Sequence, residues 1–276
     1  MAKLTVSKIL KMKERGEKIT MITAYDYPTA LLADKAGIDM ILVGDSVGMV
    51  MLGYENPVPV TVDDIIHHTR PVVRGAKNPL VVADMPFMSY HISPEETKRN
   101  AARLIQEGGA DAIKLEGGKE VAPMVKALVD VGIPVQAHIG LMPQRASVGE
   151  SFKVQAKDAL TAEAILEDAL ALEKAGAFSV VIEFVTAEAA RLITGKLKMP
   201  TIGIGAGPYC DGQVLLSTDL LGVYESQPPF VKLYANLNKT ILDAFTAYRD
   251  DVRDAKYPAE GHTVHMDEKE AKKLKD

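Results

Sequence analysis

Short aliphatic and β-branched runs recur along the chain, each followed by a stretch in which apolar residues return every three or four positions. This alternation of a strand period with a helix period is the signature of βα units feeding a parallel sheet. The runs are "ITMITAY" (19–25), "DMILVGD" (39–45), "LVVADMP" (80–86), "ADAIKLEGG" (110–118), "IPVQAHIG" (133–140), "FSVVIEF" (178–184) and "MPTIGIGAG" (199–207). An eighth strand is placed within "STDLLGVYE" (217–225), and "VKLYANLNKTILDAFTAYRDDVRDA" (231–255) is read as the helix that closes the structure. Between the strands, "TVDDIIHHTRPVVRGA" (61–76) opens on a Thr-x-x-Asp capping pattern and carries Pro71 as an expected break or kink. "SPEETKRNAARLIQEGG" (93–109) has a serine cap, a first-turn proline, early acids and a terminal glycine, the polarity of a helix.

About eight βα units predict a (β/α)8 TIM barrel, one domain over residues 1–276 with a short charged tail from about 263. The segment 141–160 is long for a βα connection and is expected to be a functional lid or disordered. With 47% hydrophobic and 25% charged residues in 276, the chain has ample material for such a core. A net charge of -5 without a Lys/Arg block gives no footprint for nucleic acid or anionic lipid, so small-molecule partners are expected. The single cysteine, Cys210, excludes an intramolecular disulfide, argues against a cysteine-based zinc site and fits a reducing cytoplasm. No signal-peptide core and no membrane-length apolar run is visible, so a soluble cytoplasmic protein is expected.

In a parallel barrel the C-terminal strand ends share one mouth, where reactive groups collect. At those ends lie Asp45, Asp84, Lys114 with Glu116, His138 and Glu183, followed by Gly203, Gly205 and Gly207. Strand alternation puts Lys114 and Glu116 on one face. If Asp45, Asp84 and Glu116 converged to about 4 Å, each pair would repel by roughly 4 kcal/mol at an effective dielectric near 20. A cation or a proton must then offset the cluster. Oxygen-only donors with positions left open suit magnesium better than calcium, with Lys114 as the competing source of positive charge. Taken singly, Asp45 and Asp84 read equally well as turn or cap residues, and His138 as a core histidine. Glu183, ending an apolar strand, is an inward carboxylate whose raised pKa in a dry mouth would suit proton transfer. "IGIGAGP" is an incomplete dinucleotide signature that fits close backbone packing or an anion contact, and Met49, Met51, Met85 and Met88 are expected to fill gaps around the mouth.

The strings "TAYDYPTA", "ILVGDSVGMV", "HHTRPVVRGA", "VVADMPFMSY", "AIKLEGG", "PVQAHIGLMPQ" and "IGIGAGPYCDGQVL" resemble, in the same order, those of the ketopantoate hydroxymethyltransferase family over about residues 3–262. The resemblance implies a (β/α)8 barrel moving a hydroxymethyl group from 5,10-methylenetetrahydrofolate to 3-methyl-2-oxobutanoate, giving 2-dehydropantoate for pantothenate and coenzyme A synthesis. It also implies magnesium held by Asp45, Asp84 and Glu116, the oxo acid contacted by Asp45, Ser46, Asp84 and Lys114, Glu183 as the proton acceptor, and a homodecamer built as a pentamer of dimers. A divalent ion chelated by the oxo acid would stabilise the enolate formed at C3. Three mouth-loop positions depart from the family pattern: "PQRA" for Pro-Gln-Ser-Val, "ESFKVQ" where Gly-Gly-Tyr precedes Lys-Val-Gln, and Thr186 for a common proline. The runner-up is a magnesium-dependent lyase of the phosphoenolpyruvate mutase and isocitrate lyase type, for whose loop cysteine Cys210 is poorly placed. A barrel that has lost its chemistry and serves as a ring-forming structural or binding protein is the non-enzymatic alternative.

Overall fold

The computed structural model describes residues 3–146 and 153–274. In chain order the elements are α1 (Val6–Glu14), β1 (Ile19–Thr23), α2 (Tyr27–Ala36), β2 (Met40–Val43), α3 (Val47–Val50), α4 (Val62–Gly75), β3 (Leu80–Asp84), α5 (Pro94–Gln106), β4 (Ala112–Glu116), α6 (Ala122–Val129) and β5 (Val135–Gly140). They continue with α7 (Pro143–Ala146), α8 (Ala159–Ala175), β6 (Ser179–Glu183), α9 (Ala187–Lys196), β7 (Thr201–Ile204), β8 (Gly212–Leu215), α10 (Ser217–Leu220), α11 (Leu237–Arg253) and α12 (Glu268–Ala271). The strands are parallel and close in sequence order into a barrel, β1 through β8 and back to β1. The (β/α)8 expectation therefore holds.

Seven strands fall where the apolar runs place them, and the eighth does not. β8 is "GQVL", directly after β7, whereas "STDL" forms α10. No helix separates β7 from β8; Gly205 and Gly207 take φ values of +59° and +73°, and the backbone doubles back in a tight loop. A rule requiring one helix per strand carries the expected position too far along the chain. Pro71 likewise fails to break α4, which runs through it, anchored by a Thr61–Asp64 capping box and a buried face of Ile65, Ile66, Thr69 and Val72. In α5 the Ser93 side chain accepts from Glu96 N as its pattern predicts.

Contacts divide the chain into two units, Met1–Ser217 and Thr218–Asp276. The second contains α11, which begins at Leu237 with Asn236 as its cap and buries none of its residues. None of the described helices is long and apolar enough to cross a membrane.

Register and alternation split the apolar residues of the first unit into two layers. Ile41, Val43, Val81, Ala83, Ile113, Leu115, Val135, Ala137, Ile139, Val180 and Ile182 point outward and pack with the helices in one continuous cluster. Their neighbours, including Met21, Met40, Val82, Ala112, Val181 and Ile202, are also buried but fill the barrel itself. At its floor, an aspartate just before each of β2, β4 and β8 takes a backbone N–H from the preceding strand. The bonds are Thr20 N to Asp39 Oδ2 at 2.8 Å, Val81 N to Asp111 Oδ2 at 2.9 Å and Thr201 N to Asp211 Oδ2 at 2.8 Å. Lys13 of α1 donates to Asp211 Oδ2 at 2.8 Å, Met199 O at 3.0 Å and Thr194 O at 3.2 Å, plugging the floor under β7 and β8. Asp211→Ala strands the Thr201 amide and leaves the Lys13 ammonium with two carbonyls and no counter-charge, so a loss of about 1 to 3 kcal/mol in urea unfolding is expected with turnover unchanged.

Candidate active site

Asp84, Lys114, Glu116, His138 and Glu183 are delivered to the mouth by backbone register, whereas Asp45, expected to end β2, lies on the turn after it. Asp84 pairs with Lys114, Glu116 with His138, and Gly140 with Glu183 across adjacent strands. Lys114 and Glu116, two residues apart in β4, both turn into the barrel and are almost wholly buried. β2 ends at Val43, two residues before Asp45, which sits on the turn into α3 and donates its backbone N–H to Asp84 Oδ2 at 3.2 Å. Ser46 follows, its hydroxyl sharing a 2.8 Å hydrogen bond with Tyr25 OH. Gly140 is required where it stands: its φ is +94°, and a Cβ would lie 2.3 Å from Glu183 O. That contact brings the β5–β6 edge together at the level of Glu183.

The charges interlock. Lys114 Nζ lies 2.8 Å from Asp84 Oδ1. His138 sits between two acids, with Nδ1 3.4 Å from Glu116 Oε1 and Nε2 3.1 Å from Glu183 Oε2. Burial pushes the Asp45 carboxyl well up, and the charges of Asp84 and Glu116 push it further. Burial also raises Asp84, although the Lys114 charge opposes it. For Glu116, burial is outweighed by the His138 hydrogen bond, and its carboxyl is lowered. Burial and the neighbouring Lys114 charge pull His138 down, yet its bonds to Glu116 and Glu183 win and raise it to about 9. Lys114 follows the same logic, with burial overcome by Asp84, Glu116 and Asp45, and stays charged. Glu183 is not in the dry pocket expected of it: its side chain keeps 18% of its accessibility, so it stands at the open edge of the cluster.

The fully buried part of the site thus sets three carboxylates, Asp45, Asp84 and Glu116, against two cations, Lys114 and His138. Asp84 Oδ1 is buried and, despite the nearby Lys114, receives no aligned hydrogen bond. Three converging carboxyl groups, two of them held toward the protonated form for want of positive charge, together with an unfilled lone pair on Asp84 Oδ1 fit a hard divalent ion in donor type. As the side chains stand, no group of three or more His, Cys, Asp or Glu among the described residues is arranged to hold a metal.

A sequence model described as ketopantoate hydroxymethyltransferase matches residues 3–260. The chain belongs to that family. Proteins named 3-methyl-2-oxobutanoate hydroxymethyltransferase from Heliobacterium modesticaldum and Moorella thermoacetica are each 56% identical to it, covering 96% and 95% of this chain and 97% and 98% of their own. Membership makes the protein an enzyme of the hydroxymethyltransferase class. Among solved structures, phosphonopyruvate hydrolase in complex with oxalate and Mg++ aligns with a TM-score of 0.61 at 14% identity, covering 94% of this chain and 93% of that one. A 2,3-dimethylmalate lyase of the PEP mutase/isocitrate lyase superfamily aligns with a TM-score of 0.58 at 14% identity, covering 95% and 92%. At such identities these two show a shared barrel fold.

Two of the three departures from the family pattern lie among described residues. Arg145 of α7 turns outward to an ion pair with Glu120. Thr186 has a φ of -58°, which proline would accept, but its N–H donates to Gln155 O at 3.3 Å and its hydroxyl to Ala156 O at 2.7 Å. A proline there would forfeit both bonds, which tie the return of the long 141–160 segment to the residues after Glu183. Residues 147–152, including part of the third departure and of the expected lid, lie outside the described residues.

Of the four methionines expected to fill gaps, only Met85 is buried; Met49, Met51 and Met88 stand exposed. Cys210 is buried, and burial pushes its thiol up, the opposite of what a nucleophilic cysteine needs. The residue that sequence reasoning missed is Gln144. Its Nε2 donates to Asp45 Oδ2 at 2.8 Å and its backbone N–H to Glu116 Oε2 at 3.2 Å. A glutamine after a proline in a loop carries no signal that separates it from a surface residue.

The His138 shift has a measurable consequence. The folded ring keeps its proton up to about pH 9, while the unfolded ring loses it near 6.5. Between those values the folded state binds more protons, so its stability is full below pH 6.5 and falls as pH rises through the window. Urea unfolding should show a loss of roughly 3 kcal/mol from pH 6.5 to 9, and His138→Gln should flatten that slope.

Proposed function

We propose that the protein transfers a hydroxymethyl group from 5,10-methylenetetrahydrofolate to 3-methyl-2-oxobutanoate, forming 2-dehydropantoate and tetrahydrofolate with the uptake of one water. The observation that carries this reading is the buried Asp45–Asp84–Glu116–Lys114 cluster beside a partly open Glu183 that lies 3.1 Å from His138. Asp45, Asp84 and Glu116 would hold magnesium, which supplies Lewis-acid polarisation of the keto group when bound. The Lys114 ammonium and the Ser46 hydroxyl face the anionic oxo acid, with Asp45 and Asp84 completing its contacts. Glu183 accepts the proton at C3. His138 Nε2 lies 3.1 Å from Glu183 Oε2, so the imidazole and the carboxylate are placed against each other at the mouth. The resulting carbon nucleophile attacks the folate-borne methylene.

The same reading puts the enzyme in the cytoplasm as a homodecamer. Ile241, Leu242, Phe245, Tyr248 and Val252 of α11 are all exposed in the single chain, which supports an assembled state. Purified protein with magnesium, 3-methyl-2-oxobutanoate and methylenetetrahydrofolate should yield ketopantoate. Without folate it should exchange the C3 hydrogen for deuterium, faster with magnesium than without. Cleavage of a 2-methylmalate-like acid in the absence of folate, with no exchange, would replace this reading by the lyase.

A further inference from the structure

Asp84 and Glu116 each face a cation, Lys114 at 2.8 Å and His138 at 3.4 Å. Asp45 has an uncharged partner, the Gln144 amide. How that amide is oriented follows from its neighbours. Tyr90 OH accepts the backbone N–H of Glu116 at 3.2 Å, so its own proton goes to Gln144 Oε1 at 2.8 Å. With Oε1 engaged, Nε2 directs its two hydrogens to Asp45 Oδ2 at 2.8 Å and Met85 O at 3.1 Å. The Gln144 backbone N–H returns to Glu116 Oε2 at 3.2 Å. Gln144 and Tyr90 are both 1% exposed, so water does not compete for these bonds. A closed circuit therefore runs from Glu116 through Tyr90 and Gln144 back to Glu116, with Asp45 held on a branch from the Gln144 amide and each bond direction set by its neighbours.

We propose that Gln144 is a positioning residue of the carboxylate site: its amide, oriented by Tyr90, holds Asp45 in place without adding a charge and thereby sets the site's affinity for a divalent cation. The absence of charge matters. A lysine at this position would satisfy Asp45 but repel the ion, and an acid would leave Asp45 without a donor. The amide fixes the carboxyl group without placing a competing cation beside it. Groups that orient metal-binding side chains in this way typically account for about 10 to 100-fold in metal affinity. The inference rests on the proposed reading of Asp45, Asp84 and Glu116 as a cation site.

The test is Mn2+ titration of the full-length protein by electron paramagnetic resonance, without substrate, for wild type, Gln144→Met, Tyr90→Phe and the double variant. Gln144→Met keeps the side chain's length and removes its hydrogen bonds, and about tenfold or more weaker Mn2+ binding is expected. Tyr90→Phe should weaken binding in the same direction by a smaller factor. The double variant should be weaker than Gln144→Met by clearly less than the Tyr90→Phe factor, because Tyr90 acts chiefly through Gln144 and has only its bond from the Glu116 N–H besides. In turnover, Gln144→Met should raise KM for the oxo acid more than it lowers kcat. A residue that merely packs would lower the melting temperature and leave Mn2+ affinity untouched. Affinity within about twofold of wild type in Gln144→Met, or additive effects in the double variant, overturns the proposal. If Gln144→Met does not fold, Tyr90→Phe decides alone, an unchanged Mn2+ affinity counting against it. Wild type that binds no Mn2+ removes the cation-site reading itself, a failure distinct from that of Gln144.

Discussion

Glu183→Gln should leave 3-methyl-2-oxobutanoate bound and nearly stop exchange of its C3 hydrogen with deuterated water. The substitution keeps the side chain's size and its contact with His138, whose Nε2 lies 3.1 Å from Oε2, but removes the basic oxygen lone pairs that take a proton. General base catalysis commonly contributes about 10² to 10⁴ in rate, so a loss of roughly 3 to 5 kcal/mol in barrier lowering is expected. The buried carboxylates and Lys114 are not touched, and oxo-acid affinity should therefore change by less than about threefold. His138→Gln should lower exchange by a smaller factor, since in the proposed reaction His138 stands beside Glu183 and takes no proton itself. Exchange in Glu183→Gln within twofold of wild type would assign the base elsewhere.

Most of the barrel was legible because strand and helix periods are local properties. Runs such as "LVVAD" and "SVVIE" are buried on both faces, and only a parallel sheet covered by helices accommodates that. β8 was misplaced because its connection from β7 contains no helix, so the periodic cue was absent. In the site, Asp45, Asp84, Lys114 and Glu116 could be gathered from their positions at strand ends alone. What stayed hidden depends on long-range register and loop placement. His138 looked like an ordinary core histidine until the pairing of Glu116 with His138 and of Gly140 with Glu183 set it between two acids. Gln144 reaches Asp45 across 99 residues of sequence, a contact that no local pattern encodes. The partial exposure of Glu183 is equally non-local, because it depends on how neighbouring loops cover the mouth.

Lys114→Met should be the most destabilising single change at the mouth. Methionine retains the apolar stem that packs within the barrel and removes only the ammonium. Asp84 then loses its partner at 2.8 Å, and Asp45, Asp84 and Glu116 are left buried with His138 as the remaining cation. Breaking a buried pair typically costs about 3 to 5 kcal/mol, because the abandoned charge can be neither solvated nor compensated. The cost must depend on pH. Asp45 and Asp84 already have raised carboxyls, so the folded state binds protons there that the unfolded chain has released. A group of this kind lowers stability as pH rises from its unfolded value through its folded one, and removing Lys114 raises the folded values further. Urea midpoints of wild type and variant should therefore approach one another near about pH 5 and separate by about pH 8. Millimolar Mg2+ should recover part of the loss at the higher pH, and more in the variant than in wild type, because a cation bound only by the folded state stabilises it by mass action. An equal deficit at both pH values, unmoved by Mg2+, would mean that Lys114 contributes by packing and that the carboxylates carry no uncompensated charge.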